Sequence, residues 1–241
     1  MATITFTPSM LYGAGTRGVP LIPKSGGGGG DTGLATISNV FAMDFDRASG
    51  TYMTTGITLA ADSDFSVSFW IKGGVKANFF TPGIFPFGAG NGSNSTLGRI
   101  HANKFMLQTA DNTGGNGANR VVDIDIYDGN YHHIAFTRDN ASGQFFAYAD
   151  GINVVWTGVS GGSDSPSLTF NPSGDLYLGT AGGNTSYAFD GELDEFAFFT
   201  SSLDASTVES IYSASLPLGS NVTADLSTLS TPPVAWYRMG D

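Results

Sequence analysis

FDGELDEFAFFTSSLDASTVESIY, residues 189–212, holds a strand, an acidic bend and a short helix in an order that few folds use. Residues 189–199 read as the strand. After it, the Asp204 carboxylate is placed to accept from the backbone N–H groups of a first helical turn, and Ala205, Val208, Ile211 and Tyr212 recur at helical spacing. That helix is the exception in a chain whose other apolar patterns alternate with a period of two.

Working outward from this stretch, Phe41, Met43 and Phe45 alternate with Ala42, Asp44 and Asp46. Phe65, Val67, Phe69 and Ile71 alternate with Ser66, Ser68, Trp70 and Lys72. Val122, Ile124 and Ile126 face away from Asp123 and Asp125, and Ile134 and Phe136 away from Tyr131 and His133. Each pattern predicts a half-buried strand with one face on a core and the other in water. Residues 144–149 and 152–156 flank Asp150 and Gly151, a dipeptide that supplies the positive φ of a two-residue hairpin turn. Further strands are expected at 176–178 and 234–239, while the Gly-, Asn- and Ser-rich stretches 88–98 and 111–119 read as surface loops. Strands throughout with one late helix predict an all-β fold, an antiparallel two-sheet sandwich, rather than alternating βαβ units.

Composition fits a single large β domain. The 241 residues are 12% aromatic and 41% hydrophobic, enough for a sizeable core, and the 34 glycines suit many tight turns. A net charge of -11 with ten basic residues, none clustered, disfavours nucleic-acid binding, which needs a Lys/Arg footprint against phosphate. There is no cysteine, so neither disulfides nor thiolate sites exist. The amino terminus lacks a signal-peptide pattern and no window has the length and apolarity of a spanning helix, so no membrane insertion is expected.

Residues 1–38 differ from the rest. Pro8, Pro20 and Pro23 punctuate short apolar islands, and Gly26 to Gly30 form an unbroken run, which together read as an extended Pro/Gly-rich arm ahead of a domain at 39–241. The islands, Ile4 with Phe6, Leu11 with Tyr12, and Val19 with Leu21 and Ile22, are suited to strand addition at a partner's sheet edge. Those seven residues are the partner-binding candidates.

Several segments taken in order carry a family resemblance. FDRASGTYMTT (45–55), DFSVSFWIK (64–72), DGNYHHIAFTRD (128–139), FAYADGINV (146–154), LYLGTAGG (176–183) and FDGELDEFAFF with its trailing helix together resemble the laminin-G-like or concanavalin-A-like jelly-roll superfamily over roughly residues 40–215. The resemblance implies a jelly roll whose concave sheet and rim loops dock glycans, and a calcium ion as in many members. The closing VAWYRMGD, residues 234–241, is similar to a segment that follows such domains in virion proteins of marine bacteriophages. That similarity implies a non-catalytic virion structural protein, a capsid decoration or accessory surface component. Its arm would hold a capsid or other virion protein and its lectin-like domain would face outward, with homo-oligomerisation open. The alternative is an extracellular carbohydrate-binding module or adhesin domain, and a β-glucanase-like hydrolase comes last.

Candidate chemistry is sparse. Glu192, Asp194 and Glu195 invite a glycosidase reading, since retaining enzymes need two carboxyls about 5 Å apart. The glucanase branch of the resembled superfamily carries Glu-x-Asp-x-Glu, and Phe196 stands where the third carboxylate would be. In a regular strand Glu195 points away from Glu192 and Asp194. The resemblance to non-enzymatic members implies instead that the Asp-Glu pair caps backbone donors where the strand bends, with Asp194 meeting a histidine of the 131–134 strand, and no catalytic residue is assigned. Asp44, Asp46 and Asp190 are conceivable calcium donors, but no cofactor is expected and no metal ligand is assigned. His132 and His133 face opposite ways and His101 stands alone, a poor pattern for zinc. No Gly-x-Ser-x-Gly elbow is present, and the glycine run lacks the Lys-Ser/Thr of a phosphate loop. Trp70, Trp156, Trp236, Tyr127, Tyr131, Tyr148 and Tyr177 could furnish a sugar platform, although their places inside strands favour core packing.

Overall fold

The computed structural model describes residues 3–5, 33–60, 62–74, 84–89, 96–101, 104–109, 119–154, 174–215 and 221–239. In chain order the strands are β1 (Thr3–Thr5), β2 (Thr36–Ser38), β3 (Met43–Phe45), β4 (Tyr52–Thr58), β5 (Phe65–Gly73), β6 (Ile84–Ala89), β7 (Thr96–His101), β8 (Lys104–Thr109), β9 (Asn119–Asp125) and β10 (His132–Asp139). They continue with β11 (Gln144–Ala149), β12 (Ile152–Asn153), β13 (Asp175–Leu178) and β14 (Gly191–Phe199). Helix α1 (Ala205–Ala214), β15 (Val222–Ala224) and β16 (Ala235–Tyr237) follow.

These strands form the expected sandwich. One sheet has the order β1-β4-β13-β6-β7-β8-β9, the other β12-β11-β10-β5-β14-β16 with β3 also on β14, and β2 pairs with β15 alone. The described pairings are antiparallel except β1 with β4. Between the sheets lies a phenylalanine-rich core in which Phe69 meets Phe87, Phe105 and Phe196 with ring centroids 5.3, 5.7 and 5.5 Å apart. Offset and edge contacts of this kind add to the stabilisation from burial alone.

Two of the expected half-buried strands, β5 and β10, prove to be buried on both faces, whereas β3 keeps Asp44 and β9 keeps Asp125 exposed as expected. In β5, Phe65, Val67, Phe69 and Ile71 enter the inter-sheet core, yet Ser66, Ser68 and Trp70 on the opposite face are buried too. A second apolar layer covers that face: Val208 and Ile211 of α1, Leu203, Leu226, Ala224 and Trp236 pack on Ala135, Tyr148, Ala197 and Phe199. The helix forms where the Asp204 carboxylate accepts from the Thr207 backbone N–H at 2.7 Å, and its Tyr212 ring stacks on Trp70 with centroids 5.8 Å apart. Leu34 and Ile37, at the end of the Pro/Gly-rich stretch, pack against the same layer.

Two departures from the sequence pattern have physical causes. The stretch read as a loop at 88–98 begins inside β6 and ends inside β7, where Gly88 and Ala89 pair with Leu97 and Thr96. Glycine interrupts the apolar pattern there because the Phe87 ring lies over Gly98 and leaves no room for a Cβ. In β14 the alternation fails at Glu195, which adopts φ 51°: Asp194 lies opposite Trp70 and Ala197 opposite Ser68, so three residues advance against two. This bulge turns the Glu195 carboxylate toward Trp236, whose Nε1–H donates to it at 2.6 Å. The expected opposite-face placement of Glu195 therefore does not hold.

Candidate functional site

The outer face of the second sheet is not fully covered. Next to the α1 layer an open cleft of about 450 Å³ is floored by β5 and β14 and rimmed by residues 39–42, the turn before β10, and the chain entering β15. Register builds its floor. Lys72 lies opposite Glu192 and Trp70 opposite Asp194, all four alternating with the core residues Ile71 and Leu193. The Lys72 ammonium donates to Glu192 Oε1 at 2.7 Å and sits 5.1 Å from the centre of the Tyr131 ring. The Tyr131 hydroxyl donates to the other oxygen of Glu192.

Burial opposes the charge on Glu192, but the bonds from Lys72 and Tyr131 together with the ammonium charge outweigh it and hold its pKa below the ordinary value. The same surroundings push the Tyr131 phenol up, burial first and the bond to Glu192 second. Asp194 is almost fully enclosed: its Oδ2 accepts from Asn39 Nδ2 at 2.7 Å and its Oδ1 from the Glu195 backbone N–H at 2.8 Å. The expected contact of Asp194 with a histidine is thus replaced by one with Asn39. Over this polar floor stand two exposed apolar side chains, Val40 at 55% and Phe41 at 60%.

The histidines are held by the hairpin instead. Asp150 (φ 50°) and Gly151 (φ 76°) make the expected turn, and the Asp150 carboxylate accepts from the His133 backbone N–H at 2.9 Å and bonds His132 Nδ1 at 3.0 Å. His132 Nε2 lies 3.2 Å from Asp128. Burial drives the His133 pKa down to about 4, while the Asp150 bond raises that of His132. His133 Nε2 shares a 2.8 Å hydrogen bond with Ser68, but both groups are enclosed beneath Trp70 and Tyr212, so this serine–histidine pair meets no substrate.

Other sequence candidates distribute as follows. Asp46 accepts from the Ala48 backbone N–H at 2.8 Å and from Ser49 Oγ at 2.5 Å, closing a tight turn, while Asp44 lies opposite Glu192 and the Asp190 carbonyl accepts from Gly74. No grouping of three or more His, Cys, Asp or Glu side chains suited to a metal ion occurs among the described residues. No helix there is long and apolar enough to cross a membrane. Trp70, Trp236 and Tyr148 are buried, Tyr127, Tyr131 and Tyr177 half-buried. Trp156 lies outside the described residues, as do Phe6, Leu11, Tyr12, Val19, Leu21 and Ile22 of the arm. Ile4 falls in β1, whose backbone runs parallel to β4 opposite Met53, and His101 falls in β7.

Sequence reasoning did not reach Asn39, Lys72 or Phe41 as site residues. The period that Phe41 shares with Met43 and Phe45 predicts the buried face, but the strand begins only at Met43. The pairing of Lys72 with Glu192 depends on a register that neither strand reveals alone.

Residues 47–209 match the profile of the concanavalin A-like lectin/glucanases superfamily. The chain belongs to that superfamily. No curated protein matches this member of the superfamily. Among solved structures it is similar to a candidate carbohydrate-binding protein from Bacteroides ovatus, at 15% identity and a TM-score of 0.58 over 87% of this chain and 53% of that one. It is also similar to the binding domain of botulinum neurotoxin serotype G, at 15% identity and a TM-score of 0.51, covering 76% of this chain and 45% of that one. NanB sialidase from Streptococcus pneumoniae matches at 15% identity and a TM-score of 0.50, over 72% of this chain and 28% of that one. The chain thus spans about half the length of the Bacteroides ovatus protein, and at these identities the likeness is one of fold.

Proposed function

We propose that this protein is a non-catalytic carbohydrate-binding module whose ligand lies in the cleft over Lys72, Glu192 and Asp194. The observation that carries the reading is Phe41, an aromatic ring held in solvent at the rim of a cleft whose floor is a hydrogen-bonded polar cluster. An apolar face beside fixed polar groups is the pattern of a small-ligand site, and saccharides present both C–H faces and hydroxyls. The carbohydrate-binding description of the Bacteroides ovatus protein agrees with it.

Electrostatics argue against hydrolysis. A general acid needs a raised pKa, whereas Glu192 is held ionised by Lys72 and Tyr131, and Glu195 is committed to Trp236 below the surface. At the third position of the glucanase pattern Phe196 is fully buried in the inter-sheet core. The test is binding of the full chain to an immobilised glycan panel. Phe41→Ala should weaken the hits tenfold or more with an unchanged melting temperature, and incubation with β-glucans should release no reducing ends. Saccharide binding unaffected by Phe41→Ala would remove the cleft from the reading, and reducing-end release abolished by Glu192→Gln would replace it with catalysis.

A second reading places this module on a virion surface, anchored by its amino-terminal arm, with the Pro/Gly-rich composition of residues 1–38 as its support. The closing VAWYRM segment has a structural explanation as well. Ala235 and Tyr237 enter the core, the Tyr237 hydroxyl donates to the Thr55 carbonyl at 2.8 Å, Trp236 bonds Glu195, and the Arg238 guanidinium lies 5.4 Å from the Trp236 ring centre. Deletion of residues 1–30 should abolish incorporation into particles while leaving a cooperative unfolding transition; particles that still incorporate the truncated chain count against the anchor.

A further inference from the structure

From the charge and donor inventory of the cleft we infer that its ligand is an uncharged, hydroxyl-rich saccharide, with acidic and sulfated glycans excluded. This rests on the carbohydrate-binding reading and sharpens it. Lys72 is the only cation among the described residues lining the cleft, and its ammonium is already engaged by Glu192 at 2.7 Å and by the Tyr131 ring. The lining therefore carries two carboxylates against one ammonium, a net charge of −1 by that count, on a molecule whose total is -11. A sulfate or uronate would meet repulsion and no uncommitted guanidinium or ammonium to replace its water shell.

The groups on the floor act mainly as acceptors. Glu192, about one third exposed, presents its carboxylate to the cleft, while Asp194 lies enclosed beneath with its oxygens on Asn39 Nδ2 and the Glu195 backbone N–H and adds its negative charge to the floor. Such a lining receives hydroxyl donors. A hydroxyl to carboxylate bond is charge-assisted and needs no ligand charge, while Phe41 and Val40 supply the surface for an apolar sugar face. An amine-bearing saccharide would gain from the carboxylates but would have to sit beside the Lys72 ammonium, which occupies the same floor.

The measurement is affinity of the full chain across a glycan panel sorted into neutral, carboxylated, sulfated and amine-bearing members, repeated at low and high salt. Hits confined to neutral members, flat with salt, are expected. In Glu192→Gln the Lys72 ammonium loses its counter-charge, and carboxylated saccharides should gain about tenfold relative to neutral ones. Should that variant fail to fold, the salt series on the native chain decides. Hits led by carboxylated, sulfated or amine-bearing saccharides, or affinity that falls with salt, would overturn the inference and leave carbohydrate binding standing. A panel with no hits would bring down the binding reading itself.

Discussion

His132 and His133 are neighbours with opposite protonation tendencies, and their linkage to folding has opposite signs. His133 is sealed and its pKa falls from 6.5 to about 4, so between those values the unfolded chain binds a proton that the folded one refuses. Stability from this residue is present above pH 6.5 and declines as pH falls toward 4, by at most about 1.4 kcal/mol per pH unit. His132 is raised by its Asp150 bond, so its contribution is full below 6.5 and fades as pH rises through the elevated value. Urea unfolding across pH should show these histidines shaping a maximum near 6.5, with NMR titration of the two imidazoles assigning each limb. His132→Gln should flatten the alkaline limb and spare the acid one; an acid limb that vanishes with it would reverse the assignment.

At the level of elements, the bulge in β14 sets a backbone cost against a side-chain gain. Glu195 at φ 51° costs on the order of 1 kcal/mol relative to glycine, but its buried carboxylate receives the Trp236 indole N–H, a charge-assisted bond contributing about 1.5–3 kcal/mol. Glu195→Gly should therefore lower stability despite relieving the strain, as measured by chemical denaturation; a stabilised variant would show that the strain dominates. Helix α1 offers a simpler case. Asp204→Ala removes the cap on Thr207 and should cost about 1 kcal/mol, whereas Val208→Ala opens a hole in the second layer and should cost about 2 kcal/mol or more. The cap and the hairpin turn were legible in the sequence because each rests on local chemistry, Asp204 with its own turn and Asp150 with Gly151. The bulge was not, since a glutamate in an alternating run gives no sign of positive φ. Nor was the cleft, which depends on Lys72 meeting Glu192 across strands 120 positions apart.

The whole molecule is a sandwich with a third, partial layer. That layer explains why the outward residues of β5 read as polar yet are enclosed: Ser66 and Ser68 satisfy their hydroxyls on the Ser201 carbonyl and on His133, so small polar side chains lie under the helix without penalty. Tyr212→Ala should leave the inter-sheet core in place but expose Trp70, seen as a red shift in fluorescence and a lower stability in urea; an unchanged spectrum would mean the layer is not what shields it. The small β2–β15 pair has a further consequence. Ser38 ends that pair and Asn39 begins the cleft rim, so the clasp passes directly into the contact with Asp194. A pull on the chain from upstream is therefore felt first by the three residues of β2 and then by Asn39 in the cleft wall, so strain there is relayed to the Asp194 contact before it reaches either large sheet.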